Sequence, residues 1–122
     1  MEERELEYSI LDIAKLAAKT ALDKKAKDVM ILEIKGLSLI ADYFVICSGN
    51  SETQVQAIAN EIKDKMEENQ IEVKGWEGIE QSRWVLIDLG DVVVHVFHKD
   101  EREFYNLERL WRDAPVIEVD EL

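Results

Sequence analysis

The residues of this sequence that could do chemistry gather around Asp88, in the stretch I-D-L-G and the turn that follows it. Metal-dependent nucleotidyl transfer is the reaction to test there. It needs two or three carboxylates that converge on Mg²⁺, commonly two that alternate on one strand. Here Gly90 stands where the second acid would be required, and Asp91 falls in the turn. The sequence therefore predicts no catalytic metal centre at this position.

The other patterns that could suggest an active site are incomplete or absent. His95 and His98 are three positions apart, so on a strand they would point to opposite faces, and there is no third His. The turn S-G-N-S at 48–51 precedes a predicted helix and could hold an anion, but it lacks the glycine-rich phosphate loop and its Lys. No G-x-S-x-G elbow supports a Ser/His/Asp triad. We expect a protein without catalysis, cofactor or metal; a nucleotide-binding or nucleotidyltransferase-type enzyme is the alternative.

A predicted β-hairpin positions these side chains. Trp84–Leu89 and Val92–Phe97 are rich in β-branched and aromatic residues, and the Gly90-Asp91 connection suits a type II′ turn. Because side chains alternate along a strand, one face of the hairpin is wholly aliphatic and must be core. The other face carries three cross-strand pairs: Asp88 with Val93, Leu86 with His95, and Trp84 with Phe97. A buried surface tolerates that mixture only if its polar groups have partners.

The rest of the chain predicts helices and strands around this hairpin. Ser9 with Asp12, and Ser51 with Gln54, resemble capping boxes that open helices with one apolar stripe each. The other predicted elements are a first helix from about Tyr8 to Lys25, loops at 35–42 and 75–82, and strands at Val29–Ile34, Tyr43–Cys47 and Ile71–Lys74. A last helix is predicted to be capped by Asp100 and Glu103. Its apolar stripe consists of Phe104, Leu107 and Trp111. Strand, helix and strand in succession imply a parallel crossover. We predict a single α/β (or α+β) domain with a five-stranded mixed sheet and helices packed on it.

Length and charge limit the function further. The 122 residues make one domain, which we place at 1–114, followed by an acidic tail at 115–122. No apolar run approaches the roughly 20 residues of a membrane span, the acidic start is unlike a secretory signal, and a single Cys47 cannot form an internal disulfide. These features favour a cytoplasmic protein. A net charge of −12 disfavours direct binding to DNA or RNA and favours a basic partner, although acidity also serves solubility.

A family resemblance rests on the hairpin and the segment after it. They read W-V-L-I-D-L-G-D-V-V-V-H-V-F-H and E-F-Y-N-L-E-R-L-W, with A-D-Y-F-V-I-C-S-G-N-S and D-V-M-I-L-E-I upstream. These motifs resemble the ribosomal silencing factor family, also called iojap-like proteins. The resemblance implies a small mixed sheet with nucleotidyltransferase-like topology. It also implies non-catalytic docking on the large ribosomal subunit, through its ribosomal protein number fourteen, that keeps the small subunit from joining.

The aromatic residues of this block are candidates for that contact. One short helix cannot readily bury two tryptophans, a tyrosine and a phenylalanine, and Trp, Tyr and Arg dominate binding hot spots. With the resemblance, we predict six interface residues: Trp84, Asp88, His95, Tyr105, Glu108 and Trp111. An Asp88–His95 contact is geometrically possible. The alternatives are that the aromatic residues are core, that the protein is a large-subunit assembly factor, and that a homodimer covers the patch.

Overall fold

The structure is a computed structural model that describes residues 8–117 and residue 119. Its helices are α1 (Ile10–Asp23), α2 (Glu52–Glu68), α3 (Lys99–Tyr105) and α4 (Leu107–Leu110). Its strands are β1 (Lys27–Glu33), β2 (Tyr43–Gly49), β3 (Gly75–Glu77), β4 (Trp84–Asp88), β5 (Val92–His98) and β6 (Val116–Ile117). They form one mixed sheet in the order β3-β4-β5-β2-β1-β6, in which β2 and β5 are parallel and the other neighbours are antiparallel. The predicted α/β domain with a mixed sheet is confirmed.

The two long helices begin at the serine caps that the sequence predicts. Ser9 Oγ accepts a hydrogen bond from the Asp12 N–H at 3.1 Å, and the Asp12 carboxylate accepts one from the Ser9 N–H. Ser51 Oγ accepts from the Gln54 N–H at 3.1 Å. Both helices pack their apolar stripes on one face of the sheet, here called the first face. The stripes consist of Ala14, Ala17, Ala18 and Ala21 in α1 and Val55, Ile58, Ala59, Ile62 and Met66 in α2.

The β4–β5 hairpin has the predicted register. Trp84 lies opposite Phe97, Leu86 opposite His95, and the other pairs follow. The turn residue Gly90 has a φ of +95°, as the first position of a primed turn requires, and the Leu89 N–H bonds the Val92 carbonyl at 2.9 Å. The aliphatic side of the hairpin is fully buried under α1 and α2. Alternation and turn chemistry therefore specify this hairpin locally.

The predicted strand at Ile71–Lys74 is wrong. That segment forms no strand, and β3 begins at Gly75, inside the predicted loop 75–82. Ile71 and Val73 are apolar because they pack into the core beside α2, which requires no strand pairing. β3 pairs antiparallel with β4 at the edge of the sheet. The crossover from β2 through α2 therefore ends at a strand that is separated from β2 by β4 and β5.

The predicted single last helix is also wrong. Asn106 has a φ of +49° and divides the segment into α3 and α4. The helix begins one residue after His98, whose Nδ1 accepts from the Asp100 N–H at 3.2 Å, so His98 and not Asp100 is the N-cap. The break at Asn106 changes the direction of the chain, and Phe104 is left 80% exposed. The predicted stripe is therefore interrupted, and only Leu107 and Trp111 pack on the sheet.

A sixth strand replaces the predicted count of five. Val116–Ile117 lies in the segment that the sequence assigns to the acidic tail, yet it pairs with Ile31 and Leu32 of β1. The Pro115 carbonyl continues the ladder by accepting from the Glu33 N–H at 2.9 Å. Position 118 and positions 120–122 of the predicted tail lie outside the described residues.

Candidate protein-binding surface

The second face of the sheet, opposite α1 and α2, is only partly covered. Its core contains Leu32, Ile34, Phe44, Ile46, Val93 and Phe97. Leu107, Trp111 and Ala114 of the C-terminal segment pack against it. Towards the β3–β4 edge the cover ends, and the side chains there are half-buried or exposed. We call this region the open edge; it consists of Glu77, Trp84, Leu86 and Asp88, which share a face because Glu77 is paired with Leu86.

Trp84 is the central residue of the open edge. Its ring centre lies 4.9 Å from that of Phe97 and 4.7 Å from that of Tyr105, so the indole is held between β5 and α3. Its Nε1–H donates a hydrogen bond to His95 Nδ1 at 3.1 Å. The residue is half-buried, so part of the indole is accessible to solvent. Trp84 is therefore a rigid aromatic surface whose indole N–H is already hydrogen-bonded inside the protein.

His95 is buried beneath Trp84, with 4% of its surface exposed. Burial lowers its pKa to about 4, so the ring is neutral near pH 7 and Nδ1 is free to accept the indole N–H. The proton then lies on Nε2, a buried atom with no hydrogen-bond partner among the described residues. Asp88 does not approach this ring as the sequence allowed; its Oδ1 accepts instead from the Gly90 N–H at 2.8 Å. The two residues therefore form no acid–base pair.

Glu108 is turned inward onto Arg102, a residue that the sequence analysis missed. Arg102 is 8% exposed, and its Nε donates to Glu108 Oε2 at 2.8 Å. Its Nη1 lies 3.4 Å from both Ser48 Oγ and the Lys27 carbonyl oxygen. These two residues are paired where the C-terminal end of β2 lies beside the start of β1. The pair fastens α3 and α4 to the sheet. No sequence signal marks it, because the two residues are six apart and belong to two helices.

The structure thus brings together most of the six predicted interface residues. Trp84, His95 and Tyr105 form one contact chain, and Asp88 lies on the same face at the end of β4. Trp111 joins through Phe44, whose ring centre lies 5.8 Å from that of Trp111 and 4.6 Å from that of His95. Glu108 belongs to the Arg102 pair instead. Leu86 and Glu77 were not among the predicted residues, although the hairpin register already placed Leu86 on this face.

The other candidate chemistry of the chain has a structural explanation. In the turn after β2, Ser51 caps α2, the Asn50 N–H donates to Gln54 Oε1 at 2.7 Å, and Gln54 Nε2 donates to the Lys25 carbonyl at 3.1 Å. Residues 8–117 and 119 contain no group of three or more His, Cys, Asp and Glu side chains that could hold a metal ion. Within the same ranges, no helix is long and apolar enough to cross a membrane.

Comparison with known proteins places this arrangement in a family. Residues 7–122 match the family described as ribosomal silencing factor during starvation. Among similar proteins, the ribosomal silencing factor of Bacillus subtilis is 62% identical over 88% of this chain and 92% of its own length. The chloroplastic protein Iojap of Zea mays is 35% identical over 89% of this chain and 47% of its own.

Two solved structures share the fold. A protein from Bacillus halodurans is 59% identical with a TM-score of 0.79, covering 88% of this chain and 98% of that one. A protein from Chromobacterium violaceum is 38% identical with a TM-score of 0.83, covering 85% of this chain and 87% of that one. The match along nearly the whole sequence and the shared fold show that this chain belongs to the ribosomal silencing factor family.

Proposed function

We propose that this protein docks on the large ribosomal subunit through ribosomal protein number fourteen, in the cytoplasm, and represses translation by blocking association with the small subunit. The observation that carries the proposal is the open edge, where a half-buried Trp84 is held by Phe97, Tyr105 and His95 at the part of the sheet face that the C-terminal segment leaves uncovered. Steric occlusion needs affinity and bulk, and it requires neither a cofactor nor a reaction.

The physical chemistry of the open edge supports a protein partner. Rigid aromatic side chains provide large contact area at low entropic cost, and Trp and Tyr are enriched among hot spots. Trp84 is presented in this way, and Tyr105 beside it is 49% exposed. The net charge of −12 complements the basic surfaces of ribosomal proteins and opposes binding to a bare nucleic-acid backbone. Together these features favour a basic protein as the docking partner.

A role in large-subunit assembly is the second candidate. A mouse relative named mitochondrial assembly of ribosomal large subunit protein 1 is 28% identical over 72% of this chain. Both roles require docking on the large subunit, and they differ in what the bound protein does there. A silencing factor lowers the rate at which purified mature subunits join, whereas a pure assembly factor leaves that rate unchanged and its loss leads to immature large subunits.

Sedimentation separates the docking proposal from its competitors. We expect the purified protein to pellet with large subunits and not with small subunits, and to slow subunit joining measured by light scattering. Pelleting with small subunits alone would contradict the proposal. A homodimer through the open edge would instead appear as a doubled mass in sedimentation equilibrium, lost on addition of large subunits. Mg²⁺-dependent nucleotide binding would favour the enzymatic alternative.

A pair of tryptophan variants tests the surface itself. Trp84 and Trp76 are both half-buried on neighbouring strands, but Trp76 is paired with Ile87 and packs on the first face. Trp84→Leu should weaken large-subunit binding by about 2 kcal/mol or more, as for a hot-spot residue. Trp76→Leu should leave binding by the folded fraction unchanged. Equal losses in the two variants would mean that stability, not contact, governs the effect.

A further inference from the structure

A pocket beside Trp84 has an unusual combination of walls. It has a volume of about 250 Å³ and is lined by Glu77, Gly78, Trp84 and Leu86. One wall is an indole, one is a branched aliphatic side chain, and the rim carries a carboxylate. Trp84 and Leu86 belong to β4, Glu77 is the last residue of β3, and Gly78 follows it.

The indole can offer only its ring to a ligand in this pocket. Its N–H is already donated to His95 Nδ1 at 3.1 Å, and His95 is almost wholly buried. A hydrogen-bond acceptor on a partner would have to displace that bond. An apolar or cationic group, by contrast, gains from the aromatic surface without competing for the N–H.

Glu77 provides the charge. It pairs with Leu86 across the β3–β4 ladder, so its side chain stands on the same face as Leu86 and Trp84. The residue is exposed, and it takes part in none of the ion pairs among the described residues. Its carboxylate is therefore available to a positive group that enters along the indole.

Gly78 allows the chain after β3 to approach the backbone of β4 closely. Its φ is +84°, a conformation that L-residues rarely adopt, and a Cβ there would lie 2.1 Å from the Trp84 carbonyl oxygen. The loop can lie against the backbone of β4 only because this residue has no side chain. The glycine thus fixes the distance between the Glu77 wall and the indole wall.

We propose that this pocket receives one long basic side chain, an arginine or a lysine, from a basic protein partner. The methylene stem would lie on Leu86 and the indole while the cationic head meets Glu77, as long basic side chains bury their stems and keep their charges near polar groups. The same edge already shows such an arrangement on its first face, where Lys63 Nζ lies 5.3 Å from the centre of the Trp76 ring. The identity of the partner rests on the proposed function; the chemistry of the pocket does not.

A small-molecule titration tests the pocket without the ribosome. N-acetyl-arginine amide should shift the NMR signals of the Leu86 methyl groups and the Trp84 indole, and N-acetyl-norleucine amide should shift them less. Glu77→Gln should weaken the arginine effect about fivefold, the upper range for an exposed charge pair. Equal shifts with both compounds, or shifts confined to other residues, would overturn the proposal.

Large-subunit binding provides the second test, with a matched control in the turn that follows β3. Glu80 is exposed, like Glu77, but it does not line the pocket. Glu77→Gln should weaken binding about fivefold and Glu80→Gln less than twofold. If wild-type protein binds and both variants bind equally well, the pocket proposal fails while the proposed function stands. If wild-type protein does not bind large subunits, the proposed function fails and the arginine titration still decides the pocket.

Discussion

The two faces of the sheet differ in how they are covered and in the residues that their cores contain. The first face is closed by two long helices, and its core consists of Val85, Ile87, Val94, Val96 and their apolar neighbours. The buried Thr20 of α1 is polar, but its Oγ1 donates a hydrogen bond to the Leu16 carbonyl at 2.7 Å. The second face is only partly covered by two helices of seven and four residues, and it contains a buried His95 hydrogen-bonded to the half-buried Trp84. The first face is thus closed by the protein's own helices, whereas the second leaves part of the Trp84 indole and the Glu77 carboxylate accessible.

This difference separates the parts of the molecule that hold the fold from those available for binding. Hydrophobic burial without polar atoms gives stability in proportion to the area removed from water. A face that mixes aromatic rings with a buried imidazole gains less from burial, because one of its polar atoms, His95 Nε2, has no partner among residues 8–117 and 119. Such a face is expected where a protein retains a contact surface.

The largest effect is predicted for the closed face. Ile58 of α2 is fully buried there, and Ile58→Ala should lower the free energy of unfolding by about 2–5 kcal/mol, measured in urea. Binding to large subunits should be unchanged in the fraction that remains folded, since the side chain is on the far side of the sheet from the open edge. Loss of binding at full folding would show that the two faces are coupled.

The next prediction concerns pH and belongs to the second face. The pKa of His95 is about 4 when folded and 6.5 in an unfolded reference, so the unfolded chain takes up a proton that the folded ring cannot. Stability is therefore fully present above pH 6.5 and falls as the pH is lowered towards 4, by about 3 kcal/mol at roughly 1.36 kcal/mol per pH unit. Protonation would also remove the acceptor for the Trp84 N–H.

Two histidine variants isolate this contribution from the titration of the carboxylates. In urea unfolding measured at pH 7 and at pH 4.5, the free energy of unfolding of His95→Asn should fall less on acidification than that of the wild type. His98→Asn, at the N-cap of α3, should show the same fall as the wild type. An identical pH profile in wild type and His95→Asn would mean that the buried ring does not control the stability of the second face.

Charge reversal at Glu108 is predicted to have a smaller effect. Removing one partner of a buried ion pair costs roughly 3–5 kcal/mol, and because the Glu108 side chain is 30% exposed we expect about 2 kcal/mol for Glu108→Lys. The sequence alone would treat Glu108 as an exposed helical acid whose reversal leaves the fold intact. Glu103→Lys, at an exposed position of α3, is the matched control and should cost less than about 0.5 kcal/mol. Equal unfolding free energies for the two variants would contradict the role of the Arg102 pair.

Sequence reasoning succeeded where local patterns decide the structure. Serine caps, the Gly90 turn and strict alternation in the hairpin each act over a few residues, and all three are present. Only Ser9 forms the complete predicted capping box, because the Gln54 side chain accepts from the Asn50 N–H and not from that of Ser51. It failed where a tertiary contact overrides the local signal. The apolar Ile71 and Val73 resemble a strand but are core contacts, and the left-handed Asn106 interrupts a pattern that continues helically on either side.

The candidate site was also predicted only in part. Trp84 and His95 follow from the hairpin register, although not the hydrogen bond that joins them. Glu77 could not be predicted, because its strand was taken for a loop and its partner in the ladder was unknown. The Arg102–Glu108 pair depends on the angle between two short helices. The second face is thus harder to predict because its cover is specified by contacts between distant residues.

The smallest stability effect is predicted for Phe104, which the sequence placed on the apolar stripe of the last helix and the structure leaves 80% exposed. Phe104→Ser should change the free energy of unfolding by less than about 0.5 kcal/mol, as for surface positions generally. Phe97→Ser, at a fully buried position of the same face, is the contrasting variant and should cost several times more. Phe104 lies outside the open edge, so its loss should also leave large-subunit binding unchanged if docking uses the surface around Trp84. A drop in binding at unchanged stability would extend the contact over α3 and α4, where Tyr105 and Leu110 are also exposed. The partner would then cover the short helices as well as the sheet edge that they leave open.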